Sequence, residues 1–156
     1  MAYMLERDAV NGKEGRAVCT VNGKQIELFN LKNLKLDCSL DKSDFKIVGT
    51  RIVQKKVTGI QYTGSMSIVY GSPHWKQMIK EYASTGRLPY FNIQVTNDDP
   101  STTIGAQTIV VYNCLLDGAN IAQLDAESDV MTEDLNFTYT HFEILQAFSE
   151  PLILGA

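Results

Sequence analysis

The fold is decided by residues 59–70, which read Gly-Ile-Gln-Tyr-Thr-Gly-Ser-Met-Ser-Ile-Val-Tyr. Apolar side chains stand at the even positions from Ile60 to Tyr70, with a glycine at 64. This period of two predicts a β-strand with one buried face, because successive side chains of a strand point to opposite sides. The polar side chains on the other face are Gln61, Thr63, Ser65 and Ser67.

The polar face of this predicted strand carries no Lys or Glu. Strands that face bulk solvent usually carry such charges, which keep a sheet soluble and discourage pairing at its edge. A wet face without charge suits the wall of a channel. The alternative is an ordinary outer sheet face rich in Thr and Ser, and this strand alone favours neither.

A chain of 156 residues is long enough to bury a core, so residues 1–156 are predicted to form a single domain. No apolar run reaches the roughly 20 residues of a membrane span, and the first residues lack the pattern of a signal peptide. We therefore expect the chain to fold in a cytoplasm. The cysteines Cys19, Cys38 and Cys114 form no disulfide or zinc pattern and are expected to be small buried hydrophobic residues.

Charge is distributed unevenly along the chain. All 14 Lys and Arg residues lie at or before Arg87, whereas residues 88–156 hold 10 of the 18 acidic residues and no basic one. Such asymmetry indicates an interaction surface, and one interpretation is that copies of the chain join a basic face to an acidic face. In the alternative interpretation the two halves interleave in one fold and their charges mix over its surface.

Two hairpins are predicted in the first half of the chain. Asn22-Gly23 between two alternating segments predicts a tight turn within a hairpin over 16–30. Residues 42–57 are basic and rich in β-branched side chains, and they lead into the strand at 60–70. They predict a long extended hairpin over about 42–70, with its turn near 55–59. A two-stranded ribbon buries little surface, so we expect it to need neighbours for stability.

One helix and several further strands complete the predicted fold. Ser72 as N-cap and Pro73 at the first helical position predict a helix over about 73–84, closed by Gly86. Residues 1–15 are expected to form a mobile N-terminal arm and residues 146–156 a C-terminal tail. The pattern as a whole predicts a mainly β protein, an antiparallel β-sandwich or partly open β-barrel with one flanking helix. Residues 107–116 predict a central strand, and residues 132–142 predict a second strand with the polar residues Asn136, Thr138 and Thr140 on one face.

The sequence contains no pattern typical of catalysis or of cofactor binding. Phosphate loops, nucleophile elbows, metalloprotease motifs and acidic calcium loops are all absent. The two histidines, His74 and His141, have no spacing that joins them to the cysteines as metal ligands. We therefore expect no enzyme, no metal site, no catalytic residue and no cofactor.

Four short motifs stand in order along the chain, with a helix rich in Trp and Tyr between the last two: Gly49-Thr50-Arg51, Thr58-Gly59-Ile60, Thr63-Gly64-Ser65-Met66 and Leu88-Pro89-Tyr90-Phe91. Together they resemble the tail tube proteins of contractile phage tails, and most of all those of defective Gram-positive prophages and of R-type bacteriocins of the diffocin kind. The resemblance covers roughly residues 5–145 and is a diffuse pattern.

The resemblance implies hexameric rings of this chain, stacked into a tube that a sheath surrounds, with baseplate and tail terminator proteins as further partners. DNA would pass through the lumen without specific binding if the particle is a phage. The tube of type VI secretion has a similar architecture and stays an alternative, as does a monomeric ligand-binding β-barrel. Predicted lumen-facing residues are Gln61, Thr63, Ser65, Ser67, Asn136, Thr138 and Thr140, and predicted contacts between subunits are Lys42, Lys46, Arg51, Lys55 and Lys56 with Asp125, Glu127 and Asp129.

Overall fold

The computed structural model describes residues 3–28, 30–150 and 153–154, and within them the chain is mainly β with one α-helix. The helix α1 spans His74–Thr85, and a 3₁₀ turn spans Glu6–Asp8. The strands are β1 (Tyr3–Met4), β2 (Gly15–Val21), β3 (Lys24–Glu27), β4 (Leu31–Phe45), β5 (Gln54–Val69), β6 (Phe91–Asn97), β7 (Gln107–Leu116), β8 (Thr132–Thr138), β9 (His141–Gln146) and β10 (Ile153–Leu154).

Eight strands form an antiparallel sheet in the order β3-β2-β6-β7-β8-β5-β4, with β9 paired to β7, and β1 pairs with β10 in a separate two-stranded sheet. This sheet is not closed into a barrel, so the predicted sandwich is confirmed and a barrel within one chain is not formed. Strand β7 is central, as predicted, because it pairs with β6, β9 and β8. Asn113 has a φ of 56° at the irregularity between β6 and β7, which lets β7 leave one half of the sandwich and join β8 in the other.

The core lies between the two halves of the sandwich and confirms the alternation predicted for residues 60–70. Met66 and Ile68 of β5 are at most 2% exposed. The ring of Phe137 on β8 lies directly over Gly64, where a Cβ atom would stand 2.4 Å from two of its ring atoms. A glycine at position 64 is therefore needed for the close approach of the Phe137 ring. Other fully buried side chains are Leu135, Phe91, Ile93, Val111, Cys19 and Cys114.

Helix α1 covers one side of this core and begins one residue later than predicted. Pro73 is the N-cap residue, and no side chain caps the helix, so the predicted N-cap role of Ser72 is wrong. The Pro73 carbonyl accepts the N–H of Gln77 at 3.1 Å, which is the first backbone bond of the helix. The predicted end is confirmed: Gly86 has a φ of 75° and donates its N–H to the carbonyl of Tyr82 at 2.8 Å.

The first hairpin is confirmed, whereas the second has a different first arm. Asn22 and Gly23, with φ of 52° and 79°, join Val21 to its partner Lys24. The long hairpin consists of β4 and β5, with its turn at 46–53, instead of the predicted 42–70 with a turn near 55–59.

Two irregularities in the β4–β5 ladder explain the wrong boundary. One lies between Leu31 and Asn33, and the other leaves Thr58 as an extra residue opposite Asp41 and Lys42. Each extra residue moves the following side chains to the opposite face of the strand, which interrupts the alternation in the sequence. In β4 only Leu31 is put out of phase, while Leu34, Leu36 and Leu40 keep the period of two; in β5 the segment before Thr58 is out of phase with the segment after it.

The segment predicted as an N-terminal arm contacts the loop between β6 and β7. The Asp8 carboxylate accepts bonds from the Thr103 N–H at 3.0 Å and from the Thr103 hydroxyl at 2.7 Å. The Asp99 carboxylate accepts the Asn11 N–H at 2.8 Å and both the N–H and the hydroxyl of Ser101. Two carboxylates, one on each segment, thus join residues 8–11 to residues 99–103.

Acidification should weaken this connection. The Ser101 hydroxyl and the N–H groups of Asn11 and Ser101 hold the pKa of Asp99 below its usual range. A carboxyl whose pKa is lower in the folded state stabilises that state above its unfolded pKa of about 4, and the contribution is lost as the pH falls through the folded pKa. We expect Asp99→Asn to lower the protection factor of the Asn11 amide, which is its exchange rate relative to the intrinsic rate at the same pH, and acid to lower this factor in the unaltered chain. Unchanged protection of Asn11 in the variant would contradict this role.

Candidate functional site

The two predicted polar strands lie side by side on one face of the sheet. In the register of β5 with β8, Thr63 stands opposite Thr138, Ser65 opposite Asn136 and Ser67 opposite Asp134. Directly opposed residues of antiparallel strands project from the same face, so the two sets form one surface. We call this surface, residues 61, 63, 65 and 67 of β5 with 134, 136 and 138 of β8, the polar face.

The polar face is uncovered, whereas the opposite face of the same strands is the core. Gln61, Thr63, Asn136 and Thr138 are exposed, and Ser65 and Ser67 are half-buried. Thr140 is exposed as well, but it lies beyond the end of β8, where its hydroxyl accepts a bond from the Asn113 amide at 3.2 Å.

Strand β4 extends the polar face and brings charges to it. Lys35 stands opposite Ser65, and Asp37 opposite Thr63. The Lys35 ammonium lies 3.9 Å from the Asp37 carboxylate. Two further carboxylates lie on the extended face, those of Asp134 and Asp41, and the Asp41 carboxylate accepts a bond from the Gln61 amide at 3.2 Å. The extended face therefore carries more acidic than basic side chains. The absence of charge noted for the strand at 60–70 therefore does not extend to the neighbouring strands β4 and β8.

The outer half of the long hairpin extends past the sandwich. Strand β8 pairs with β5 over Thr63–Val69 and the following Tyr139 N–H donates to the Tyr62 carbonyl, so residues 54–61 of β5 pair with β4 alone. On the side that continues the core face, Leu40 stands opposite Ile60, and both are half exposed, as is Val57. We call these three exposed residues, Leu40, Val57 and Ile60, the apolar strip. The sequence pattern did not reveal it, because the strip is exposed only where β8 no longer lies beside β5.

The predicted basic contact residues lie on the outer part of the hairpin or in its turn, and all are exposed. Lys55, predicted at the turn, stands in β5 opposite Asp44 and forms an ion pair with it. The structure does not bring the basic set to Asp125, Glu127 and Asp129 of the same chain. Those three residues lie between β7 and β8, and the loop that carries them is hydrogen-bonded at the far end of β5.

Titratable groups do not converge into a reaction centre among the described residues. In that part of the chain no group of three or more His, Cys, Asp or Glu is placed to hold a metal ion. Burial raises the pKa values of the Cys19 and Cys114 thiols to about 12, so both stay protonated. Cys38 is exposed, so the expectation that it is buried is wrong. Across the described ranges, no helix is both long enough and apolar enough to cross a membrane.

The features that this site combines are an open polar face on two paired strands and a protruding hairpin with an uncovered apolar strip. The family model described as "Phage tail tube protein" matches residues 2–146. The chain therefore belongs to the phage tail tube protein family, and the family resemblance seen in its motifs is confirmed.

Two proteins of Bacillus subtilis (strain 168) are similar over nearly their whole length. The phage-like element PBSX protein XkdM is 28% identical over 144 residues, which are 92% of this chain and 95% of that protein. The uncharacterized protein YqbM is 29% identical over 138 residues, 88% of this chain and 91% of that protein.

Solved structures share the fold at low sequence identity. A chain in the baseplate of the anti-feeding prophage has a TM-score of 0.68 at 14% identity, over 88% of this chain and 95% of that one. A chain in the sheath/tube terminator of an extracellular contractile injection system has a TM-score of 0.63 at 16% identity, over 85% of this chain and 94% of that one. A chain of a gene transfer agent virion has a TM-score of 0.57 at 12% identity, over 88% of this chain and 100% of that one.

Proposed function

We propose that this chain is the subunit of the inner tube of a contractile tail or R-type bacteriocin, in which hexameric rings stack into a hollow conduit inside a sheath. Its membership of the tail tube family supports this proposal. Particles of contractile injection systems contain the similar folds, which supports the sheath, the baseplate and the tube terminator as partners. The subunit would fold and assemble in the bacterial cytoplasm and then remain in the particle.

The observation that carries this proposal is the apolar strip on the protruding hairpin. Leu40, Val57 and Ile60 are half exposed at the edge of a sheet whose last strand, β4, has a free side. A ribbon of two strands is marginal in water, and free edges of this kind are usually covered or paired. Neighbouring copies that complete the sheet would bury the strip and remove the edge, as closure into a barrel of several chains requires.

The polar face fits the wall of the conduit. Its side chains Gln61, Thr63, Ser65, Ser67, Asn136, Thr138 and Thr140 are assigned to the lumen in this proposal. The acidic excess that Asp37, Asp41 and Asp134 bring would repel nucleic-acid phosphates, so DNA could move through the lumen without being held. Among the described residues the sheet does not close into a barrel, which favours a tube subunit over the alternative of a monomeric ligand-binding barrel.

Contacts between subunits would join the basic hairpin to acidic residues of an adjacent copy. The hairpin contributes Lys42, Lys46, Arg51, Lys55 and Lys56, and the acidic partners are Asp125, Glu127 and Asp129. All eight side chains are exposed or half-buried in the single chain, so they are available to a neighbour. Association by unlike surfaces of identical chains produces rings or stacks rather than isolated dimers.

Negative-stain electron microscopy across a concentration series, with light scattering for mass, tests the proposal. We expect rings or hollow tubes of uniform width that become more frequent with concentration. If the subunit needs a template, a preformed baseplate should start tube growth from a solution of monomers. Monomers that persist at every concentration and in the presence of the baseplate would contradict the proposal.

A substitution on the polar face should separate folding from conduit properties. We expect Ser65→Leu to leave the melting temperature of the monomer within a few degrees of the unaltered chain, because residue 65 points away from the core. The variant tubes should bind an apolar dye that unaltered tubes exclude. Met66→Ser is the matched comparison on the buried face and should lower the melting temperature instead.

A further inference from the structure

Two loops expose apolar side chains to an unusual degree. The tip loop (residues 46–53, between β4 and β5) exposes Val48 fully and Ile52 at 72%. The acidic loop (residues 117–131, between β7 and β8) exposes Leu124 at 99%, with Ile121 and Val130 about two thirds exposed. Scattered apolar side chains are normal on a surface, but several within one short loop mark a binding surface.

The charges around these apolar side chains are of opposite sign on the two loops. The tip loop contains Lys46 and Arg51 and no acidic residue. The acidic loop contains four carboxylates and no Lys or Arg, and its members are Asp117, Asp125, Glu127 and Asp129. Each loop therefore combines an apolar centre with charges that attract the other loop and repel a copy of itself.

The two loops lie at opposite ends of the same long strand. The tip loop precedes Gln54, the first residue of β5, whereas the acidic loop is held at the other end, where the Tyr70 N–H donates to the Met131 carbonyl at 3.0 Å. The 16 residues of β5 span about 50 Å at the rise of an extended strand. One chain therefore cannot bring its own two loops together.

We propose that the tip loop of one copy docks on the acidic loop of a second copy in the next ring, and that this contact holds successive rings together. The inference rests on the proposed tube function and assigns the axial contact within it. Unlike surfaces at opposite ends of an elongated subunit repeat without closing, so they build an open stack with a direction. Contacts within a ring then fall to the other exposed parts of the hairpin, including the apolar strip.

Paired charge reversal tests which loops meet. We expect Lys46→Glu with Arg51→Glu to leave rings intact but to abolish tubes, and Asp125→Lys with Glu127→Lys to do the same. The chain with all four substitutions should form tubes again, because the attraction is restored with its signs exchanged. Lys13→Glu with Lys32→Glu is the control, since it changes two exposed basic residues outside both loops by the same charge.

The apolar centre is tested without changing charge. Val48→Ser and Leu124→Ser should each raise the subunit concentration at which half of the rings are in tubes by about tenfold, because an apolar side chain loses its burial. Val48→Ile keeps the apolar surface and should stay close to the unaltered protein. Melting of the unassembled chain should be unchanged in all three, as these side chains contact solvent in the single subunit.

The outcomes distinguish this inference from the proposed function. Tubes of normal length from either charge-reversed pair, or rings that the four substitutions together do not stack, would overturn the docking of these two loops while leaving the tube function in place. An unaltered protein that forms neither rings nor tubes, with or without a baseplate, would overturn both.

Discussion

Replacement of Trp75 by Ala is expected to lower the free energy of unfolding of the subunit by about 3–5 kcal/mol, the range for deleting a large buried aromatic side chain. Trp75 is 3% exposed and packs edge-on against Phe91, with the ring centroids 5.5 Å apart. With Met78 it is one of the two buried residues of α1, and the larger of them, so its removal leaves a cavity between the helix and the strands. Denaturant unfolding at a concentration below assembly measures the change.

Tyr82→Ala is the matched control on the same helix. Tyr82 is 55% exposed and contributes little to the core, so its replacement should cost less than about 1 kcal/mol. Equal losses at the two positions would mean that α1 does not pack on the sheet through Trp75.

Gly64→Val is expected to destabilise the subunit by about 1–3 kcal/mol or more through overpacking. A Cβ at position 64 would lie 2.4 Å from two ring atoms of Phe137 and 3.0 Å from a methyl carbon of Leu36. The Phe137 ring cannot easily move away, because it is fully buried and packs against Phe91 at 5.8 Å. Thermal melting of the unassembled variant measures the loss.

Gly59→Val provides the comparison for Gly64 within the same strand. The nearest atom to a Cβ at position 59 is a carboxylate oxygen of Asp41 at 3.2 Å, the end of an exposed side chain that can rotate. We therefore expect little change in melting temperature there. If Gly59→Val and Gly64→Val melted alike, the close approach of Phe137 would be contradicted.

The sequence predicted well wherever alternation ran unbroken. Residues 60–68 and 132–138 keep their period of two, so their buried and polar faces could be assigned, and the cross-strand register then joined Ser65 to Asn136 on one surface. Strand β4 alternates only from Leu34 to Leu40, because the irregularity between Leu31 and Asn33 puts Leu31 out of phase and the residues after Leu40 are polar and charged.

The residues that belong to each candidate surface depend on which strands lie side by side, and the alternation within one strand does not reveal its neighbours. Lys35 and Asp37 belong to the polar face only because β4 pairs with β5 in this register. Leu40 and Ile60 fall at the positions of core residues in the sequence pattern. They are half exposed in the structure because β8 pairs with β5 only from Thr63 onwards and does not cover the part of the hairpin before it. Burial is decided by which strands extend far enough to cover a side chain, and that is a property of the whole fold.

The central claim is that copies of this chain build a hollow tube whose inner wall is the polar face. Cryo-electron microscopy of tubes grown from the purified chain measures this most directly. The account predicts a sixfold tube in which Thr63, Ser65 and Asn136 line the lumen and the apolar strip of each hairpin is buried against a neighbouring subunit. A tube with the polar face on its outer surface, or with Leu40 and Ile60 still exposed to solvent, would contradict it.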